Sequence, residues 1–152
     1  VPHELLIAEM GRFRGYRGVI QLRYLAPLGD PRSESVGESG LRLHWRDAGL
    51  PRPELQFWIY SDSGVPIYRL DISLPEIRYA AEYNGEEFHT LPEDQEYDAE
   101  RVAWLEDTRD WKIDPFTKLE VYGRDPSPVE QLQAGFAEAR RKSRLWTPRR
   151  RE

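Results

Sequence analysis

The feature that most restricts the fold of this 152-residue chain is a central run of strand-like segments between Leu55 and Tyr83. Leu55, Phe57 and Ile59 alternate with Gln56, Trp58 and Tyr60, the period-two pattern of a half-buried strand. Ser61-Asp62-Ser63-Gly64 reads as a turn, and Val65 to Asp71 as a second strand. Ser73 to Glu76 interrupts with a proline. Ile77 to Tyr83 then reads as a third strand, closed by the tight-turn dipeptide Asn84-Gly85. Strands joined by such short connections can only pair antiparallel, so the middle of the chain must make a sheet.

Helical patterns surround that sheet. Glu4 to Met10 is apolar and helix-prone, and Val19, Leu22 and Leu25 space a helix over Val19 to Leu28, broken by Gly29-Asp30-Pro31. A further helix is expected from about Ser33 to Ala48, with Leu41, Trp45 and Ala48 inward, stopped by Gly49 and Pro51. After Pro92 the pattern is helical to about Leu105, with Tyr97, Arg101, Trp104 and Leu105 on one side. Trp111 to Ile113 and Leu119 to Tyr122 read as short final strands. Ser127, Pro128 and Glu130 start a last helix whose inward stripe is Val129, Leu132, Phe136 and Ala139. This order predicts an α/β fold, a mixed sheet flanked by helices. One domain over residues 1–152 is expected, with 1–32 as a helical lead-in and 147–152 as a flexible basic tail.

Composition narrows the setting. There is no cysteine, hence no disulfide framework and no thiolate metal site. No apolar run approaches the roughly 20 residues that span a bilayer, and no secretory signal opens the chain. A cytoplasmic protein without a membrane partner is expected. The chain begins Val1-Pro2 rather than Met, which reads as one part of a longer protein. The net charge of -5 hides a pattern. Arg12, Arg14, Arg17 and Arg23 make a basic start, Glu82 to Asp110 is acidic, and Arg140, Arg141, Lys142 and Arg144 lead into a basic end. Those last four are candidate contacts for DNA phosphates; solvated helix faces are the plainer reading.

The residues that can carry chemistry lie in Tyr68-Arg69-Leu70-Asp71, Ala80-Ala81-Glu82-Tyr83-Asn84-Gly85 and Phe88-His89. Asp71 is expected to end one strand and Glu82 to lie near the end of the next, so two carboxylates can meet. Hard oxygen ligands so placed suit Mg²⁺ or Mn²⁺. Glu38 can add a third carboxylate from the preceding helix. Taken singly, Asp71 can be an ion pair with Arg69, and Glu82 one with Arg42 or Arg78. Trp58 and Tyr60 share the strand face opposite Phe57 and can reach a surface, although packing is the ordinary use of such rings.

Ser35-Val36-Gly37-Glu38-Ser39 with Leu41-Arg42, Ala48-Gly49-Leu50-Pro51-Arg52-Pro53, Arg69-Leu70-Asp71, and Glu82-Tyr83-Asn84-Gly85 with His89 follow one pattern over roughly Ser33 to Trp111. The pattern resembles the DUF559 domain family, which is related to very-short-patch repair endonucleases within the PD-(D/E)xK superfamily. Such domains commonly form the C-terminal half of actinobacterial proteins resembling antitoxins of abortive-infection type IV toxin–antitoxin systems, behind a winged-helix DNA-binding domain. The resemblance implies a restriction-endonuclease-like core. It makes Glu38, Asp71, Glu82 and His89 the catalytic candidates, and Asp71, Glu82 and Asn84 the candidate metal ligands. Asp98 and Arg101 match an Asp and Arg pair of the family's following helix.

Two departures weaken the pattern. Asn84 stands where the family usually has aspartate, so an Mg²⁺ or Mn²⁺ ion would be held weakly or not at all. Trp111-Lys112-Ile113-Asp114-Pro115 lacks the family's arginine. The expectation is therefore a catalytically degenerate nuclease-like domain of a DNA-associated, antitoxin- or repressor-like protein, with DNA and a toxin or other protein as partners. The alternatives are an active Mg²⁺-dependent DNA endonuclease and a protein-interaction module without nucleic acid.

Overall fold

The computed structural model describes residues 2–85, 102–123 and 128–145. Its centre is a four-stranded sheet in the order β1 (Glu54–Tyr60), β2 (Pro66–Leu74), β3 (Tyr79–Asn84), β4 (Lys112–Thr117). β1 pairs antiparallel with β2 and β2 with β3, while β4 returns parallel to β3. The sheet is therefore mixed, and β4 is an edge strand, which is where Pro115 is tolerated.

Helices cover both faces. α1 (His3–Glu9) and α2 (Val19–Leu25) form the lead-in, and α3 (Val36–Asp47) follows it. α4 covers residues 102–109, α5 is Lys118–Tyr122 and α6 is Pro128–Leu145. Leu41 and Trp45 from α3, with Ala48 capping its C-terminus, meet Leu132 and Ala139 from α6 over Ile72, Leu74, Tyr79 and Phe116. On the other face Leu105 of α4 and Trp111 close over Ile59, Leu70, Ala80 and Ile113. An α/β domain with a mixed sheet between helices is what the chain forms.

Trp45 and Tyr79 hold the first layer together. Their rings stack with centroids 5.4 Å apart, and Trp45 Nε1 donates to the Pro51 carbonyl at 2.8 Å. The Tyr79 hydroxyl donates to Asp114 Oδ2 at 2.9 Å and toward the Leu132 carbonyl at 3.1 Å. Lys112 Nζ pairs with the other Asp114 oxygen at 2.5 Å. Asp114 is thus a buried anchor between β4 and α6. Gly135 is what lets α6 approach it, since a Cβ there would collide with Asp114 Oδ2 and Tyr79.

Several expectations need correction. Ile77 is not in a strand: β2 runs on to Leu74, Pro75–Ile77 forms a 3₁₀ turn, and Arg78 takes a left-handed conformation (φ 54°) before β3. Leu119 to Tyr122 is helix, because the Glu120 carboxylate accepts from the Thr117 amide at 2.6 Å and hydroxyl at 2.8 Å, fixing a helix start. Trp104 is exposed while its neighbour Leu105 is buried. The expected Ser127 cap, the helix before Val102 with Tyr97, Asp98 and Arg101, and the tail 147–152 lie outside the described residues.

Gly135→Ala is expected to lower the unfolding free energy by about 1–3 kcal/mol through overpacking, read from urea denaturation. An unchanged midpoint would mean that α6 does not bear on Asp114 as described.

Candidate functional site

The site begins where β2 and β3 part. Their ladder ends at the Ile72–Ala81 pair, and the next opposed residues are Asp71 and Glu82. Beyond it, β2 stays bonded to β1 through Leu70–Phe57, and β3 to β4 through Glu82–Pro115 and Tyr83–Phe116. The fork leaves backbone amides without ladder partners, and the two acids answer them. Asp71 N–H donates to Glu82 Oε1 at 3.1 Å, and Tyr83 N–H donates to Asp71 Oδ2 at 3.0 Å. The Tyr68 hydroxyl also bonds Glu82. Asp71 therefore lies inside β2, three residues before its end, and the fork is what exposes it to Glu82.

Gln56 marks the opposite side of the fork. It falls at the register position facing Asp71, where the β1–β2 ladder skips a pair, and its φ is 55°. A left-handed non-glycine residue inside a strand is strained. Across it the inward alternation reverses. Leu55 and Ile72 belong to the α3–α6 layer, whereas Phe57, Ile59 and Leu70 belong to the α4 layer. The simple alternation of Leu55, Phe57 and Ile59 on one face is thus corrected, and the reversal falls at Gln56–Asp71.

α3 brings the third acid. Ser35 caps it by accepting the Glu38 amide at 3.0 Å. Gly37 presses on the Tyr83 ring, and a Cβ there would overlap it. Glu38 is buried, with Oε2 accepting the Glu34 amide and Gln56 Nε2, each at 2.8 Å. Gln56 Oε1 is buried with no partner among the described residues. Exchanging the amide's O and N would set an oxygen against the Glu38 carboxylate, so the unpartnered atom is the oxygen. Arg69 forks onto Glu34 at 2.8 and 2.5 Å and covers the Trp58 ring at 5.4 Å.

Burial raises both fork acids, and neighbouring carboxylates add to the rise. Burial pushes the Asp71 carboxyl up to about 6, against the Tyr83 hydrogen bond; Glu38 adds to the rise, and Arg69 opposes it. Glu82 is pushed well above the ordinary range, first by burial and then by Asp71, with the Asp71 amide and Tyr68 opposing. Two crowded acids whose charged forms are disfavoured make a place where a proton or a cation is stabilising.

Not every expected residue is there. Asp71, Glu82 and Glu38 come together; Asn84 shares the β3 alternation of Glu82 but is exposed at the strand end. His89 lies outside the described residues. Neither expected ion pair of Glu82 forms, and Arg78 pairs with Asp110. Among the described residues, no three His, Cys, Asp or Glu side chains converge as a metal cage. The donors at the fork are the hard carboxylate oxygens of Asp71 and Glu82, whose charged forms are disfavoured, which fits a divalent cation in kind while offering it little charge. Gln56 was missed in the sequence because its place in an alternating run carries no sign of a positive φ. Arg140, Arg141, Lys142 and Arg144 are exposed on α6, with Lys142 paired to Glu138 at 2.9 Å and Arg140 over Phe136 at 5.5 Å. Trp58 and Tyr60 do reach the surface.

No protein-family model matches the chain, and no solved structure does. Two curated proteins are similar to it, each 42% identical over 108 residues, 71% of this chain. They are the uncharacterized protein MT2308 of Mycobacterium tuberculosis (strain CDC 1551 / Oshkosh) and the uncharacterized protein Rv2248 of Mycobacterium tuberculosis (strain ATCC 25618 / H37Rv). The match spans 39% of the length of each relative. No helix among the described residues is long and apolar enough to cross a membrane.

The raised Asp71 pKa has a signed consequence. Between about 3.8 and 6 the folded state holds a proton that the unfolded state has released, so stability falls as pH rises through that window. Asp71 alone is expected to cost about 2–3 kcal/mol by pH 8 relative to pH 4. Asp71→Asn, which imitates the protonated acid, should flatten this slope in denaturant titrations. A slope unchanged by Asp71→Asn would show that the acid is not desolvated at the fork.

Proposed function

We propose that this chain is a DNA-associated regulatory domain on a nuclease-like frame, with a divalent-cation site of reduced charge and little or no cleavage of its own. The observation that carries the reading is the pairing of half-buried Asp71 with buried Glu82 at the strand fork, with neutral Asn84 two residues beyond Glu82. Asp71 and Glu82 would hold Mg²⁺ or Mn²⁺, with the oxygens of Gln56 and Asn84 as neutral donors. Such an ion supplies, when bound, a Lewis acid toward a phosphodiester oxygen. Glu38 serves the site through its charge and through its hold on Gln56 rather than as a free ligand, since Oε2 already takes two hydrogen bonds.

The reading of weak catalysis follows from the same residues. Asn84 adds no charge to the cation, and β4 supplies Lys112 only as the partner of Asp114. The exposed cations of α6 favour a nucleic-acid partner over a purely protein-binding role. Repression or neutralisation of a toxin or other protein partner would belong to the longer protein that the resemblance implies.

Calorimetric titration with Mn²⁺ is expected to show binding that Asp71→Ala abolishes and Asn84→Asp tightens about three- to tenfold, because a charged ligand is restored. Equal affinity in all three proteins would remove the cation from the fork. Mg²⁺-dependent plasmid cleavage that disappears in Asp71→Ala would replace this reading with that of an active endonuclease.

A further inference from the structure

A second polar feature lies away from the carboxylates. Between the end of the lead-in, α3 and the loop before β1 is a cavity of about 430 Å³. Arg32, Arg42, Arg46 and Arg52 line it, with Asp30 as the only acid among its described lining residues, so four positive charges against one negative leave a formal surplus of +3 at the lining, partly offset by Glu54, whose charge also acts on Arg32. Trp45 contributes to an otherwise apolar wall.

The one acid is already committed. Asp30 takes Arg32 in a two-point fork, Nε to Oδ1 at 3.0 Å and Nη2 to Oδ2 at 2.8 Å. Arg46 lies over the Tyr24 ring at 5.9 Å. Arg42 is different. It is half-buried, its Nε is buried without a hydrogen-bond partner, and among the described residues its guanidinium meets no carboxylate within ion-pair distance. A sheltered guanidinium without an anion is costly in a folded protein unless something else supplies one.

We propose that this cavity is an anion site that takes a phosphate monoester, with Arg42 as its central ligand and Arg52 and Arg46 at its mouth. A phosphate dianion matches the charge surplus and the planar donors of guanidinium groups better than a carboxylate does. The apolar wall suits an organic body behind the phosphate, as in a mononucleotide or a 5′-phosphorylated DNA end. Desolvation pulls the Arg42 pKa down, with Arg32 acting the same way and Asp30 opposing, in keeping with a cation short of counter-charge. The proposal does not rest on the reading of the carboxylate fork.

The test is calorimetric titration of the chain with inorganic phosphate, then with a nucleoside 5′-monophosphate, then with a short DNA duplex with and without its 5′-phosphate. Binding of inorganic phosphate is expected, weakened about tenfold or more by Arg42→Gln and by a smaller factor in Arg52→Gln. Arg109→Gln, whose side chain pairs with Asp62 elsewhere, should leave it unchanged. Should Arg42→Gln fail to fold, the exposed Arg52→Gln still decides the matter. Tighter binding of the mononucleotide would assign a free small molecule, and tighter binding of the phosphorylated duplex a DNA end. No binding at about 10 mM phosphate, or equal binding by the wild type and folded Arg42→Gln and Arg52→Gln, would overturn the proposal.

Discussion

The separation of β2 from β3 after Ile72–Ala81 is the constraint on which the candidate site depends. Backbone amides freed by a fork must find acceptors, and here two carboxylates supply them. A hydrogen bond to a charged group contributes about 1.5–3 kcal/mol. Removing a charge from water costs several kcal/mol per ion, and like charges side by side add to that. The acids therefore satisfy the backbone at the expense of their own ionisation. Protonation relieves this tension at Asp71 and Glu82, and a bound cation would relieve it in the same way.

The rest of the site is arranged around this tension. Gly37 sets the first turn of α3 against Tyr83, Ser35 fixes where that helix starts, and Glu38 then reaches Gln56. Gln56, strained and facing Asp71, turns β1 so that its apolar residues serve different layers on either side. Helix, strand bend and fork form one connected unit. On the far side of β3, Asp114 is held by Tyr79 and Lys112 under α6 and takes no part in the fork. The acid in β4 is thus a packing device.

What was legible in the sequence follows from periodicity. The inward faces of α3 and α6 were readable because Leu41 and Trp45, and Leu132 and Ala139, repeat at helical spacing and are buried. The meeting of Asp71 with Glu82 followed from two adjacent strands in the expected order. Features set by tertiary contacts or unusual dihedrals were not readable. The positive φ of Gln56 has no signature in an alternating run. Leu119 to Tyr122 alternates as a strand does, and only the Thr117–Glu120 cap decides for a helix. The arginine-lined cavity joins residues from the lead-in, α3 and the loop before β1, so no single window of sequence holds its charge surplus.

The central claim is that the strained acid pair at the fork is a cation site. Its most direct test is the unfolding free energy at pH 8, above the raised Asp71 pKa of about 6, with and without millimolar Mn²⁺, in the wild type and in Asp71→Ala. With Asp71 ionised at pH 8, the expected result is stabilisation of the wild type by about 1–3 kcal/mol at saturating metal, absent from the variant. No stabilisation of the wild type, or equal stabilisation of both proteins, would contradict the claim and leave Asp71 and Glu82 as acceptors for the backbone of the fork alone.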